Sequence, residues 1–497
     1  MCLFYHQFVL YSRNMPNYLK RFSFSALLII FLAIFTFINP NAGLDILALL
    51  LIIFTILQKI FGEYFVLILL AARPALDFWR DFSMFSFRAF EFNINSALSV
   101  FLLIWSIYFF VKNREYFRKI PALIPWLIFI GWISLTVIYS YDVISTIRET
   151  IKAANLFALL GICHIMSIKY KGEFSKNFLK SLIAGAILPL LAAVYQLLSR
   201  TGMDIDDVSN RIYGTFAHPN ILATYTLLLL MVLISELRRV SNDGTRHDFV
   251  KSKKLSLKEM PAWSKWLVLF LLAMIAFTYT RIAWIGAALL FVILGLVYQR
   301  KITAIILSGI VLFFALFYPL NNYLIQNYNI NLQTSGLISR LTSRSEDSDS
   351  VKWRISLANK VLPLFRQRWF LGYGYGSFPK VWDDNKDVGN IWDTTSEAHN
   401  DYIKVAFESG VIGLILFLWI FFSLLYKQIN FAVKNQRRVS MDVTRHDLVK
   451  SNIVFIAGIG IYLILSLSDN MLHHTPMIWW MWAVWGWWSG EFKVIKL

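Results

Sequence analysis

Runs of about twenty apolar residues, separated by short polar stretches, recur along this chain from Phe22 to Gly490, and that is the length a helix needs to cross the hydrocarbon of a bilayer. Lipid offers the backbone no hydrogen-bond partner, and the runs are too long and continuous for barrel strands, so they are expected to be helices. In the first half of the chain the expected spans are 24–38, 44–61, 64–76, 92–111, 122–139, 148–168 and 178–198. In the second half they are 220–237, 265–280, 282–298, 302–317, 402–426, 452–467 and 477–488. This makes about 14 crossings, or about 12 if hairpin-like pairs are merged. The fold class is all-α: a polytopic integral membrane protein. The one long hydrophilic interruption, 321–398, is expected to be a loop with its own amphipathic helix. There Trp353, Leu357, Val361, Leu364 and Phe365 share a stripe while Arg354, Lys360, Arg366 and Arg368 lie off it, with Pro363 as a kink or break.

Composition agrees with the pattern, since 57% of the 497 residues are hydrophobic. The formal net charge of +18 would suggest nucleic acid in a soluble protein, but the basic residues gather in short loops, as the positive-inside rule requires, so no nucleic-acid partner is expected. The loops 112–119, 238–265 and 427–450 then share the cytoplasmic side with Arg300 and Lys301, and both termini lie there too. Arg13, Lys20 and Arg21 ahead of the first apolar run, with no convincing small-residue cleavage site after it, read as an uncleaved signal anchor. Cys2 and Cys163 imply no disulfide framework. A segment from Arg238 to Asp248 returns almost unchanged from Arg437 to Asp447 and is read as a duplicated, solvated basic loop.

The opposite face holds the loop 321–398 and shorter turns near 73–91, 201–219, 280–281 and 469–476. Chemistry there has no nucleotide to draw on, so an activated substrate has to arrive through the membrane. Gly372-Tyr373-Gly374-Tyr375-Gly376 is read as a tight turn, because it lacks the strand and helix of a dinucleotide site. Arg281 stands mid-way in an apolar stretch too long for one crossing, so the helix is expected to break at Thr280-Arg281. Thr394 and Glu397 fit a capping box that puts His399 in the first turn and a half of the next span, where helix-terminal positive potential favours a neutral imidazole able to accept a proton. Glu408 lies deeper and is expected to pair with Lys404, while Gly410 and Gly413 would let another helix pack closely. Asp347 and Asp349, or Asp383, Asp384 and Asp387, could hold a divalent cation, but acidic residues in a hydrophilic loop are commonly just solvated, and no metal or cofactor is expected.

Four ordered blocks carry a family resemblance: Gly214-Thr215-Phe216-Ala217-His218-Pro219-Asn220, then Thr280-Arg281-Ile282-Ala283-Trp284, then Arg354 ahead of Phe370-Leu371-Gly372-Tyr373-Gly374, and His399-Asn400-Asp401-Tyr402 with Glu408-Ser409-Gly410. Together, from about Gly214 to Gly413, they resemble the O-antigen ligase and polymerase superfamily. The resemblance implies a metal-independent, inverting glycosyltransferase of the membrane C type in a bacterial cytoplasmic (inner) membrane. It would move a glycan from an undecaprenyl-diphosphate carrier to a glycolipid, glycan or protein acceptor at the outer face. On matching positions, the catalytic set is His399, Arg281 and Arg354, with Arg340 and Arg344 as rivals of Arg354. Asn220, Asn400, His218 and Glu408 would contact substrate, although His218 stands where a smaller or amide residue is expected. Residues 1–213 then form an N-terminal helical region, 214–426 the catalytic region and 427–497 a basic loop with the last helices. Ligase, polymerase and protein O-oligosaccharyltransferase remain open, and a lipid-linked glycan transporter is the alternative of another class. The Trp-rich close from Trp479 to Trp488 could bind sugar or pack the bundle, and His473 and His474 are accessory candidates.

Overall fold

The computed structural model describes residues 42–82, 85–87, 90–205, 208–243, 262–298, 323, 326, 350–386, 397–436 and 443–494. The expected spans 24–38 and 302–317, the signal anchor, Thr394, Arg340, Arg344, Asp347, Asp349 and Asp387 lie outside the described residues, as do the side chains of both copies of the basic repeat. Every other expected span coincides with a helix. In chain order these are α1 (Ala42–Phe61), α2 (Phe65–Leu76), α3 (Ile94–Lys112), α4 (Leu123–Leu135), α5 (Val143–Ser199), α6 (Pro219–Asp243), α7 (Ala262–Phe277), α8 (Arg281–Tyr298), α9 (Ser350–Gln367), α10 (Phe378–Asn385), α11 (Asp401–Gln436), α12 (Val443–Leu465) and α13 (Thr475–Val494). Two small hairpins, β1 (Phe85–Phe87) with β2 (Phe90–Phe92) and β3 (Met203–Ile205) with β4 (Val208–Arg211), are antiparallel. Among the described residues, five segments are long and apolar enough to cross a membrane: Ile52–Trp79, Ile94–Lys112, Val143–Ser199, Pro219–Glu236 and Asp401–Lys434. The protein is an all-α polytopic membrane protein.

The chain divides into two compact units. One comprises Met1–Phe65 and Trp79–Phe101, described from Ala42 onward, and within it Phe101 packs against Phe54 and Phe65 with ring centroids 5.4 and 5.5 Å apart. The other comprises Val66–Phe78 and Leu102–Leu497 and contains all the chemistry discussed below. Its centre is α13, which packs on α5, α6 and α12, while α11 packs on α4 and α12. Trp479, Trp480, Trp482, Trp485, Trp487 and Trp488 are all buried, which makes them bundle packing. Lipid tails are as apolar as these side chains, so their contribution is dispersion and ring geometry: Trp482 meets Trp126 of α4 edge-on at 4.8 Å and Trp485 at 4.7 Å.

Three breaks depart from straight helices. α5 contains both spans expected at 148–168 and 178–198, and Lys171 at φ 47°, ψ −130° turns the chain between them. Between α7 and α8 the chain leaves helical geometry over Thr278–Thr280, with Tyr279 at φ 53°, so Arg281 is the first residue of α8. The third break corrects the reading of Gly410 as a helix-packing glycine. Gly410 interrupts α11 at φ 70°, ψ −179°, and a Cβ there would collide with the Phe370 carbonyl. The loop 369–378, rather than a helix, lies against this break. It supplies donors for the carbonyls that the break leaves free: Tyr373 N donates to Phe407 O (3.1 Å) and Gly374 N to Glu408 O (2.8 Å). Trp132 Nε1 donates to Ser409 O at 2.9 Å. A broken helix survives inside a membrane protein because protein donors replace the water it cannot reach. The glycines of 372–376 have positive φ angles of 78°, 107° and 89°, as a turn pressed on backbone requires.

α9 forms as its periodicity predicts and runs through Pro363 without ending. Leu357 and Val361 are buried in a cluster with Tyr373, Phe378, Val381, Trp382, Ala398 and Phe407, while Ile355 and Leu362 are exposed. The apolar stripe is thus pinned over the loop that closes the α11 break.

Candidate functional site

The site assembles where four connections meet: the segment entering α6, the break between α7 and α8, the turn entering α11 and the turn from α12 to α13. At its centre is Asp469, whose side chain is 4% exposed. Its Oδ2 accepts from Asn220 Nδ2 at 2.8 Å and its Oδ1 from Asn470 N at 2.9 Å. Facing Oδ1 are two imidazoles, His474 Nε2 at 3.7 Å and His399 Nδ1 at 3.9 Å. Burial alone would raise the Asp469 pKa, but the opposing effects of His474, His399 and Arg354 win and hold it well below the carboxylate range. Asp469 is therefore an anion at neutral pH. Arg354, half-buried on α9, is close enough to contribute to that shift.

His399 is held by its neighbours. The helix begins at Asp401, six residues later than the start at 395 that a capping box of Thr394 and Glu397 implies. The cap is Asn400, whose Oδ1 accepts from Tyr402 N (2.9 Å) and Ile403 N (3.0 Å). Glu397 is instead engaged by Lys404 Nζ and Asn470 Nδ2, both at 3.1 Å, and by His473 Nδ1 at 3.5 Å. His399 precedes the cap at φ 47°, a left-handed conformation that histidine tolerates better than most residues. The turn is fastened to the α12–α13 connection by Asn400 N to Asn470 Oδ1 (3.1 Å), Asn400 Nδ2 to Leu467 O (2.9 Å), Asp401 N to Ser466 O (3.0 Å) and Leu472 N to Asp401 Oδ1 (3.2 Å). These bonds set His399 opposite Asp469, 70 residues away in sequence.

On the other wall, His218 caps α6. Its Nδ1 accepts from Asn220 N at 3.1 Å and its carbonyl from Ile221 N at 3.0 Å. Burial first, then the charge of Arg211, lowers its pKa to about 4, so at neutral pH the ring is an uncharged acceptor with its proton on Nε2. Asn220 Oδ1 accepts from Thr280 Oγ1 (3.1 Å) and Arg211 Nη2 (3.3 Å). Arg281, half-buried, follows Thr280 directly. The segment before α6 is tied down from α2: Ala217 N donates to Asp77 Oδ2 (3.2 Å), Arg73 pairs with Asp77 Oδ1 (3.2 Å), and Arg73 Nη2 reaches Thr475 Oγ1 (2.8 Å) at the start of α13.

The structure thus brings His399, Asn220, His218 and Arg354 around one carboxylate, and uses Asn400 as the cap that presents His399. Glu408 has a different setting. It is fully buried, its Oε1 accepts from Phe378 N (3.2 Å) and faces Lys404 (3.7 Å), and it fastens the 372–378 turn to the α11 break. Two further members, Asp469 and Arg211, lie outside the blocks that carry the family resemblance. Asp469 was legible only as an ionisable residue closing an apolar span, a position that demands a partner. Arg211 stands just ahead of the Gly214 block. Among the described residues no group of three or more His, Cys, Asp or Glu could hold a metal ion. Asp383 pairs with Lys386 at 2.7 Å and Asp384 accepts from Tyr141 at 2.8 Å.

The site is thus an ionised carboxylate facing two imidazoles, with arginine in electrostatic reach, where the connections of a helical membrane bundle meet. Residues 266–418 match the family model described as O-antigen ligase, which supports the O-antigen ligase superfamily, a family of glycan-transferring enzymes. The match runs from α7 into α11 and includes Arg281, Arg354, His399, Asn400 and Glu408. Asn220, Arg211 and Asp469 lie outside it and join through the fold. A search of curated proteins gives no match.

Proposed function

We propose that this protein transfers a glycan from an undecaprenyl-diphosphate carrier to an acceptor hydroxyl at the outer face of the cytoplasmic membrane, with inversion and without a metal. The observation that carries this reading is the facing of His399 Nδ1 and the Asp469 anion at 3.9 Å, with Arg354 in electrostatic reach. Asp469 orients the imidazole and stabilises its protonated form, which leaves Nε2 as the proton acceptor. The acceptor O–H gives its proton to Nε2 as its oxygen bonds to the anomeric carbon. The bond from that carbon to the phosphate oxygen breaks on the opposite side, and its electron pair leaves with the diphosphate. Arg281 and Arg354 take up that developing charge, a task that suits a guanidinium because it remains charged and can bind two phosphate oxygens at once. Asn220 and His218 line the donor side, and Asn400 acts by fixing His399. Such a site needs orientation and charge stabilisation more than an acid, because a diphosphate departs without protonation.

The test is transfer by purified protein in liposomes from an undecaprenyl-diphosphate oligosaccharide, with and without EDTA. Expected is EDTA-resistant transfer that His399→Ala and Arg281→Ala abolish. Sugar found on a lipid core, a second carrier or a peptide would distinguish ligase, polymerase and protein O-oligosaccharyltransferase. Carrier translocation without transfer would refute the proposal in favour of a transporter.

A further inference from the structure

Arg211 ends β4 and is 3% exposed. Its guanidinium is directed at protein acceptors: Nε donates to Thr278 O at 2.9 Å, and Nη2 to Asn220 Oδ1 at 3.3 Å and Thr280 Oγ1 at 3.4 Å. The Thr278 carbonyl lies at the break that starts α8. The contact with Asn220 carries a further consequence. A side-chain amide can be turned end for end, and only its surroundings decide which way it points. Here Thr280 could serve either end, because a hydroxyl donates or accepts. Arg211 could not, because a guanidinium has donors alone. A reversed Asn220 would set its NH2 against the guanidinium and its oxygen against Asp469 Oδ2.

We propose that Arg211 is a positioning residue that acts on Asp469 through Asn220. By fixing the amide oxygen toward itself, Arg211 turns the amide nitrogen onto Asp469 Oδ2 at 2.8 Å. With that oxygen occupied, Oδ1 is the one that faces His399 and His474. The order of influence is Arg211, Asn220, Asp469, His399, and it runs from a strand end to the imidazole across elements that are far apart in sequence. The activity readout of this inference rests on the transferase reading, but its structural readout does not.

The test compares transfer kinetics of Arg211→Lys, Arg211→Met, Asn220→Ala and the Arg211→Met/Asn220→Ala double variant, with a cryo-EM map of Arg211→Met in lipid nanodiscs. Lysine keeps the charge but loses the planar fork. Expected for Arg211→Lys is a fall in kcat of roughly 10- to 100-fold, the worth of a hydrogen bond to a buried charge, with donor KM within about twofold. The double variant should be no slower than Asn220→Ala alone, because both steps lie on one path. In the map, Asn220 should no longer lie within hydrogen-bond distance of Asp469. Additive losses, or a raised donor KM at unchanged kcat, would overturn the proposal in favour of an independent contact with substrate. An intact Asn220–Asp469 bond in Arg211→Met would overturn it whatever the kinetics. A lost bond in a protein whose wild type transfers no glycan would sustain the positioning role and sink the transferase reading instead. If Arg211→Met fails to fold, the same map and kinetics on Arg211→Lys decide the question.

Discussion

Replacing Asp469 by asparagine keeps the shape of the side chain and removes its charge, which isolates the electrostatic part of the His399 pairing. Two unit charges at the 3.9 Å separation of His399 Nδ1 and Asp469 Oδ1 attract by about 4 kcal/mol at an effective dielectric of ~20. That attraction exists only when the imidazole is protonated, as it becomes when it takes the acceptor proton. Its loss therefore raises the barrier rather than weakening substrate binding, and about 4 kcal/mol corresponds to roughly a thousandfold in rate. The separation exceeds a hydrogen bond, so the effect should lie below the roughly 10⁴-fold loss seen when a tightly bonded triad aspartate is amidated. Asp469→Asn should lower kcat by about 10²- to 10³-fold with donor KM little changed. The assay is single-turnover transfer under saturating donor, so that product release does not mask the chemical step. A kcat within about threefold of wild type, in a preparation where His399→Ala is inactive, would refute the claim that Asp469 supports the imidazole.

Other sites test the packing that holds this geometry. Gly410→Ala should destabilise by about 1–3 kcal/mol or more, because φ 70° strains any side chain and the new Cβ meets the Phe370 carbonyl; an unchanged melting temperature in detergent would show that the break does not need glycine. Lys404→Met leaves Glu397 and Glu408, now 3.1 and 3.7 Å from its ammonium, without their counter-charge, at a cost of about 3–5 kcal/mol that Glu408→Gln should partly restore; thermal unfolding of the single and double variants checks both statements. His218 has a folded pKa of about 4 against about 6.5 in the unfolded chain. Because the folded value is the lower one, its contribution is full above pH 6.5 and is lost as pH falls toward 4, by roughly 3 kcal/mol in total. Melting temperature should therefore drop across that window, and His218→Asn, which keeps an acceptor at the cap, should flatten the slope; an equal slope in both proteins would refute the assignment.

Much of the fold was written in local pattern. Apolar runs of membrane length specified the helices, and a break at Thr280-Arg281 followed from a stretch too long for one crossing with a charge at its middle. The stripe of Leu357, Val361, Leu364 and Phe365 specified α9, because a helix forms wherever its own periodicity can be buried. His399 and Arg281 were legible as polar residues at the ends of apolar runs, whereas Arg354 was only a cation off the stripe of α9 until the family resemblance singled it out.

What tertiary structure alone decided is what those residues face. Asp469 meets Asn220 from 249 positions away, and no periodicity records a contact between residues so far apart. The cap of α11 is Asn400, and Glu397 lies outside the helix, engaged by Lys404 and by Asn470 from 73 positions away. Gly410 became a break because the loop 369–378 could donate to the carbonyls it freed, a choice that depends on where that loop packs. The orientation of Asn220 illustrates the limit most simply: its amide can point either way in the chain, and only partners brought by the fold, the donating guanidinium of Arg211 on one side and the accepting carboxylate of Asp469 on the other, determine which end faces which.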